Sequence, residues 1–136
     1  LILSIGGNDA LGYSGIVHFD AKTVGNALRT LNSMREIFEQ NYRHALSFAA
    51  AASPKVYVCT IYDAVPGLSD ELKTALAILN ERILFVASGS SLPVIDLRVI
   101  CKESRCYSEA SSIEPSSYGG KVISDAIIAA ILESEK

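Results

Sequence analysis

Cysteine, histidine and basic residues are all scarce in this chain of 136 residues, and each scarcity removes a class of protein. Three cysteines are too few to staple a small secreted scaffold. Two isolated histidines, His18 and His44, make no metal-ligand motif, so neither a metal nor a cofactor is expected. Twelve Lys and Arg against fifteen Asp and Glu leave a formal charge of −3, which gives no electrostatic ground for binding nucleic acid. No apolar run reaches the length of a membrane-spanning helix, and no internal repeat or low-complexity tract is present. What is there is 49% hydrophobic and 20% charged, a composition and length that suit one soluble domain over residues 1–136.

An initiator Met, a charged leader and a small-residue cleavage site are also missing, so no targeting segment can be read and the compartment stays open. The chain opens on Leu1-Ile2-Leu3-Ser4-Ile5, which has the character of a strand already in progress. Elements preceding Leu1 are therefore expected. The oligomeric state is not legible.

A loop of Gly and small residues follows at 6–15. Asp20 is a good N-cap for a helix over 21–52, whose inner stripe would hold Val24, Leu28, Leu31, Met34, Ile37, Phe38, Leu46 and Phe48. Ser53-Pro54 ends it. The β-rich run 55–61 reads as a strand buried on both faces of a parallel sheet. A loop at 62–67 leads to a helix from Ser69 or Asp70 to about Ala87, with Leu72, Leu76, Leu79, Ile83 and Val86 inward. Residues 93–100 read as a third strand, 101–115 as a polar loop, and Ser116 as the cap of a last helix to about Glu133. Strand alternating with helix is the pattern of a parallel sheet, in which ligands bind beyond the carboxyl ends of the strands. The chemistry is therefore expected in the three loops 6–15, 62–67 and 101–115.

Gly6-Gly7-Asn8-Asp9 directly follows a buried strand. A Gly pair lets the backbone turn tightly and lets a ligand approach. Asn8 then offers a neutral NH₂ that can donate to a developing oxyanion. Asn and Asp in a turn also bond their own backbone, so this tetrapeptide alone admits a purely structural role.

Leu3-Ser4-Ile5-Gly6-Gly7-Asn8-Asp9-Ala10-Leu11 resembles the third block of the SGNH (GDSL-type) hydrolases, where a strand delivers Gly-x-Asn-Asp. Ile113-Glu114-Pro115-Ser116-Ser117-Tyr118-Gly119-Gly120 resembles that family's last block. Cys59–Asp63 and Pro93–Arg98 are similar to its fourth and fifth strands in character and spacing, so the likeness spans essentially the whole chain. It implies an α/β fold, a flavodoxin-like three-layer αβα sandwich with a parallel sheet lacking its first strands. It also implies an ester hydrolase, with Asn8 in the oxyanion hole and Gly6 opening its motif. The substrate class it implies is a small molecule or an acylated carbohydrate or lipid.

Two departures stand out. No Gly-Asp-Ser nucleophile block occurs in the chain, and its place lies before Leu1. Where the family has Asp-x-x-His, this chain has Ser111-Ser112-Ile113-Glu114. Glu114 therefore stands for the base, or for a ligand anchor, while its position beside a helix start also allows a role toward the helix dipole. Ser111 stands where the acid would be. Asp63 at the end of the second strand is a candidate replacement acid or sugar-binding residue, or a turn cap before Pro66. His18 is a weaker substitute, His44 a solvated helix residue, and Tyr62 and Tyr118 either line a pocket or pack. Cys101 and Cys106 read as a small disulfide or as reduced, solvent-facing thiols, and Cys59 as a buried hydrophobe.

The leading expectation is an SGNH-type ester hydrolase whose present chain is inactive alone. The alternative is a binding module that keeps the fold without the triad. A receiver-type domain fits less well, because the acidic cluster after the first strand and a late Lys are both missing.

Overall fold

The computed structural model describes residues 1–135. The buried segment 56–59 forms the centre of the sheet, because it has no charged face to show to water. Strand β1 (Ile2–Leu3), β2 (Tyr57–Cys59) and β3 (Val94–Ile95) are parallel and lie in the order β1-β2-β3. Ile2 stands beside Tyr57 and Leu3 beside Val58, while Val58 and Cys59 face Val94 and Ile95. All three residues of β2 are buried. Side chains alternate across a strand, so Val58 joins Leu3, Phe38, Leu79 and Ile83 in one core. Tyr57 and Cys59 join Ile95, Leu97 and the last helix in another. Helices thus cover both faces of the sheet. No helix among the described residues is long and apolar enough to cross a membrane.

The loop expected at 6–15 is helical instead. Helix α1 (Gly7–Gly12) and a 3-10 turn (Ser14–His18) occupy it, because Gly6 turns the chain and its carbonyl accepts from Ala10 N–H at 2.9 Å. Helix α2 (Val24–Ala52) begins later than expected and is capped by Thr23, whose side chain accepts from Asn26 N–H at 3.1 Å. Lys22 takes a left-handed backbone with φ of 58°, which cannot continue a helix, and Asp20 only accepts its N–H. The stripe of α2 is also half corrected. Met34, Phe38, Tyr42, Leu46 and Ala49 are buried, whereas Val24, Leu28, Ile37 and Phe48 are exposed. Val24 and Leu28 sit in the first turns of this 29-residue helix, and Ile37 and Phe48 fall well off the row of Phe38, Tyr42 and Leu46 that faces the core.

Helix α3 (Asp70–Gly89) is capped by Ser69, one of the two expected candidates, with Asp70 as its first residue, and it packs along α2. The expected third strand stops at Ile95. Asp96 there caps a short helix α4 (Leu97–Ile100), accepting from Arg98 N–H at 3.2 Å. Thr60, buried on the end of β2, donates to Asp96 at 2.8 Å and accepts from Leu97 N–H at 2.9 Å. Helix α5 (Ser117–Glu133) is capped by Ser116, as expected, and packs Ile123, Ala126, Ile127 and Ala130 partly buried against the sheet. Cys59, Cys101 and Cys106 are free and all buried, so none is solvent-facing.

Arg98 beside Asp96, aided by the Thr60 hydroxyl, holds the Asp96 carboxyl below its usual 3.8, although partial burial opposes this. A folded-state pKa below the unfolded one stabilises the protein above the unfolded value, and that stability is lost as pH falls through the folded value. Unfolding free energy is therefore expected to decline below about pH 4 through this group. Asp96→Ala should cost about 1 kcal/mol at pH 7 and flatten that acid limb. Urea melts at pH 7 and pH 3 check both, and equal losses at the two pH values would sink the assignment.

Candidate functional site

Gly6 is the pivot on which the site is built. Its φ of 105° suits glycine, and a Cβ there would stand 3.1 Å from both Ile61 Cδ1 and Phe38 Cζ. The chain therefore leaves β1 through a turn that only glycine fits without strain, and α1 begins at once. Asn8, the second residue of α1, is exposed at the carboxyl end of the sheet. Its carboxamide has no hydrogen-bond partner among the described residues.

Two cavities adjoin at Asn8. One, of about 300 Å³, is lined mainly by apolar side chains of α1, α2 and α3, together with Tyr62, Ile113 and Glu114. The other, of about 360 Å³, is more polar and is lined by Ser4, Asp9, Thr60 and Leu97 among others. Gly7, Asn8, Ile61 and Tyr62 line both. Residues from all three segments expected to carry the chemistry thus meet at one place.

The third segment is held there by a chain of specific bonds. Tyr62 O–H donates to the Ile113 carbonyl at 2.6 Å, and its ring meets Tyr107 edge-on at 5.4 Å between centroids. Tyr107 O–H donates to the Cys101 carbonyl at 2.9 Å, and Tyr107 bridges to Pro115. Ser108 N–H donates to the Glu114 carbonyl at 2.8 Å, and Glu114 N–H to the Ser111 carbonyl at 3.0 Å. Glu114 therefore has a fixed backbone and an exposed side chain on the rim of the apolar cavity. Burial above all, with the Glu114 carboxylate nearby, pushes the Tyr62 phenol up, so it stays a neutral donor at neutral pH.

Of the sequence-derived candidates, Gly6, Asn8 and Glu114 come together. Gly6 and Asn8 adjoin through the turn, and Asn8 and Glu114 share a cavity. Asp63 and Ser111 line neither cavity. The Asp63 charge acts on Arg98 instead, and Ser111 contributes its carbonyl to the loop. His18 is exposed and lines neither cavity, and His44 lies on α2, its ring tilted against Phe48 with centroids 5.0 Å apart. Burial raises the Cys59 thiol and pushes Cys101 up to about 11, so neither is a poised thiolate. Among the described residues no three His, Cys, Asp or Glu cluster as metal ligands. Sequence reasoning missed Leu72, Ala75, Leu76 and Leu79 as cavity wall, having assigned the stripe of α3 to the core. It also passed over Asn80, which is fully buried and brackets Ile61, accepting from its N–H at 2.7 Å and donating to its carbonyl at 2.8 Å.

No protein-family model matches the chain, and no curated protein matches it. It is similar in structure to LAE5, an α/β hydrolase enzyme from the metagenome of Lake Arreo, Spain, with a TM-score of 0.69 at 17% identity. The match covers 95% of this chain and 57% of that one, so the chain spans little more than half of its neighbour's length. The likeness is one of fold: an α/β architecture with a parallel sheet, shared with a hydrolase.

Proposed function

We propose that this chain carries the oxyanion-hole side of an ester hydrolase of SGNH type, built on a flavodoxin-like three-layer sandwich. One observation carries the reading: Asn8, with an unpartnered carboxamide, stands where two cavities join at the carboxyl end of a parallel sheet. Helices on both faces of the sheet and the uninterrupted order β1-β2-β3 are consistent with the later half of such a sandwich.

In this reading a serine from a Gly-Asp-Ser segment and the base that takes its proton both lie outside these 136 residues. The serine oxygen adds to the ester carbonyl, the alcohol leaves with that proton, and water then releases the acid from the acyl-serine. Charge develops on the carbonyl oxygen, and Asn8 Nδ2 donates to it, an interaction that strengthens as the tetrahedral intermediate forms. Tyr62 and Gly7 border both cavities and orient the ester. A carboxylate acting as base at neutral pH needs a dry surrounding, and Glu114 is exposed, which favours the anchor role over the base role. Gly6 serves by setting the turn that presents Asn8.

The test is short-chain ester turnover by the intact polypeptide that includes the Gly-Asp-Ser segment. Asn8→Ala is expected to lower kcat by roughly 10²–10³-fold with little change in KM. An unchanged kcat would overturn the oxyanion assignment. Residues 1–136 alone are expected to show no turnover. The second reading, a ligand-binding module, is favoured by the lack of an imidazole at the cavities among the described residues. Ligand binding by an intact polypeptide with no turnover would decide for it.

A further inference from the structure

The apolar cavity beside Asn8 grades from a buried floor to an exposed rim. Leu79, Met34, Leu76 and Ala75 are each no more than 9% exposed and form its depth. Asn8 and Glu114 are exposed and mark its mouth. Few polar atoms face the interior, and the Tyr62 hydroxyl is already committed to the Ile113 carbonyl. A sugar hydroxyl drawn into such walls would lose its water partners without replacement. A methylene chain loses nothing and is driven in by the removal of apolar surface from water.

We infer that this cavity seats an unbranched aliphatic acyl chain, its carbonyl end at Asn8 and its tail against α3. The inference rests on the hydrolase reading only for the fate of the chain, not for its binding. It selects medium-chain acyl esters over acetylated carbohydrates, whose small acyl group would leave most of the cavity wet. A cavity of about 300 Å³ is twice the size of one known to hold benzene, which gives room for roughly eight to twelve carbons. The alcohol side of the ester then lies over the more polar neighbouring cavity, beyond Asn8.

Calorimetric binding of straight-chain primary alcohols from butanol to decanol tests this, because they carry the alkyl chain without a hydrolysable bond. Affinity is expected to rise about fourfold with each added methylene until the cavity is full. Ala75→Phe and Leu72→Trp, which fill the cavity from the α3 side, should abolish that rise. Leu72 is only partly buried, so its variant decides the matter if Ala75→Phe does not fold. Equal affinity from butanol to decanol, or an unchanged rise in a folded Leu72→Trp protein, would overturn the inference. Failure of the two readings is distinguishable. A length-dependent rise in an intact polypeptide without ester turnover removes the hydrolase alone. Ester turnover without the rise removes the acyl seat alone.

Discussion

Gly119→Ala is expected to remove roughly 3–5 kcal/mol of folding stability, a large part of the 5–15 kcal/mol typical of a domain. A Cβ at Gly119 would stand 2.9 Å from the Cys106 carbonyl carbon and closer still to its oxygen. Backbone rather than a flexible side chain is in the way, so no rotamer change relieves the overlap. The first turn of α5 has to move, and three bonds move with it. Ser116 N–H donates to the Cys106 carbonyl at 2.9 Å, Ser116 O–H to the Arg105 carbonyl at 2.5 Å, and Gly119 N–H to Ser116 Oγ at 3.0 Å. Overpacking of this kind costs about 1–3 kcal/mol, and the weakened cap about 1 kcal/mol more. Orphaned carbonyls account for the rest. Gly120→Ala is the internal control: nothing lies within 4 Å of its Cβ position, and it too is helical. Ala there should be neutral or stabilise by up to about 1 kcal/mol, since Ala outranks Gly in a helix. Urea denaturation of the pair reads the contrast. Equal stabilities for the two variants would show that the approach of α5 to Cys106 is not tight.

Asn80→Leu should cost about 3–5 kcal/mol although it replaces a buried polar group by an apolar one of similar size. Ile61 lies just past the end of β2, where no neighbouring strand supplies hydrogen bonds, and Asn80 supplies both from the middle of α3. Leucine leaves an N–H and a carbonyl unpaired, each at about 1–3 kcal/mol. Because Ile61 lines both cavities, the same change should loosen their shared wall and weaken alkyl binding. Hydrogen exchange at the Ile61 amide separates the specific effect from general destabilisation. It should lose protection in Asn80→Leu under conditions where Val58, in the centre of β2, keeps its own. Parallel loss at both amides would mean global unfolding and no local clamp.

These residues also mark where sequence reading ends. Asn80 sits mid-helix like any polar residue, and its partner is 19 positions away. Asp96 looks like an interruption in an apolar strand until Thr60, 36 positions earlier, is seen to engage it. Gly119 reads as part of a motif, but its indispensability comes from Cys106 across a loop. In each case the chemistry is written in one residue and its consequence in another that only folding brings near.

By itself the sequence determined the alternation of strand and helix, the start of α3 at Ser69 or Asp70, the cap Ser116, the burial of Tyr57–Cys59 on both faces, and Gly6 as the point where the chain turns out of a strand. All of these are local: caps and periodicity act within a few residues, so a linear pattern carries them. The tertiary structure alone decided that half the stripe of α2 is exposed, that Asp63 and Ser111 stay out of the cavities while Glu114 reaches one, and that α3 turns part of its stripe to an open space. Periodicity reports which face of a helix is apolar. Whether that face meets another side chain, water or an unfilled cavity depends on residues far along the chain.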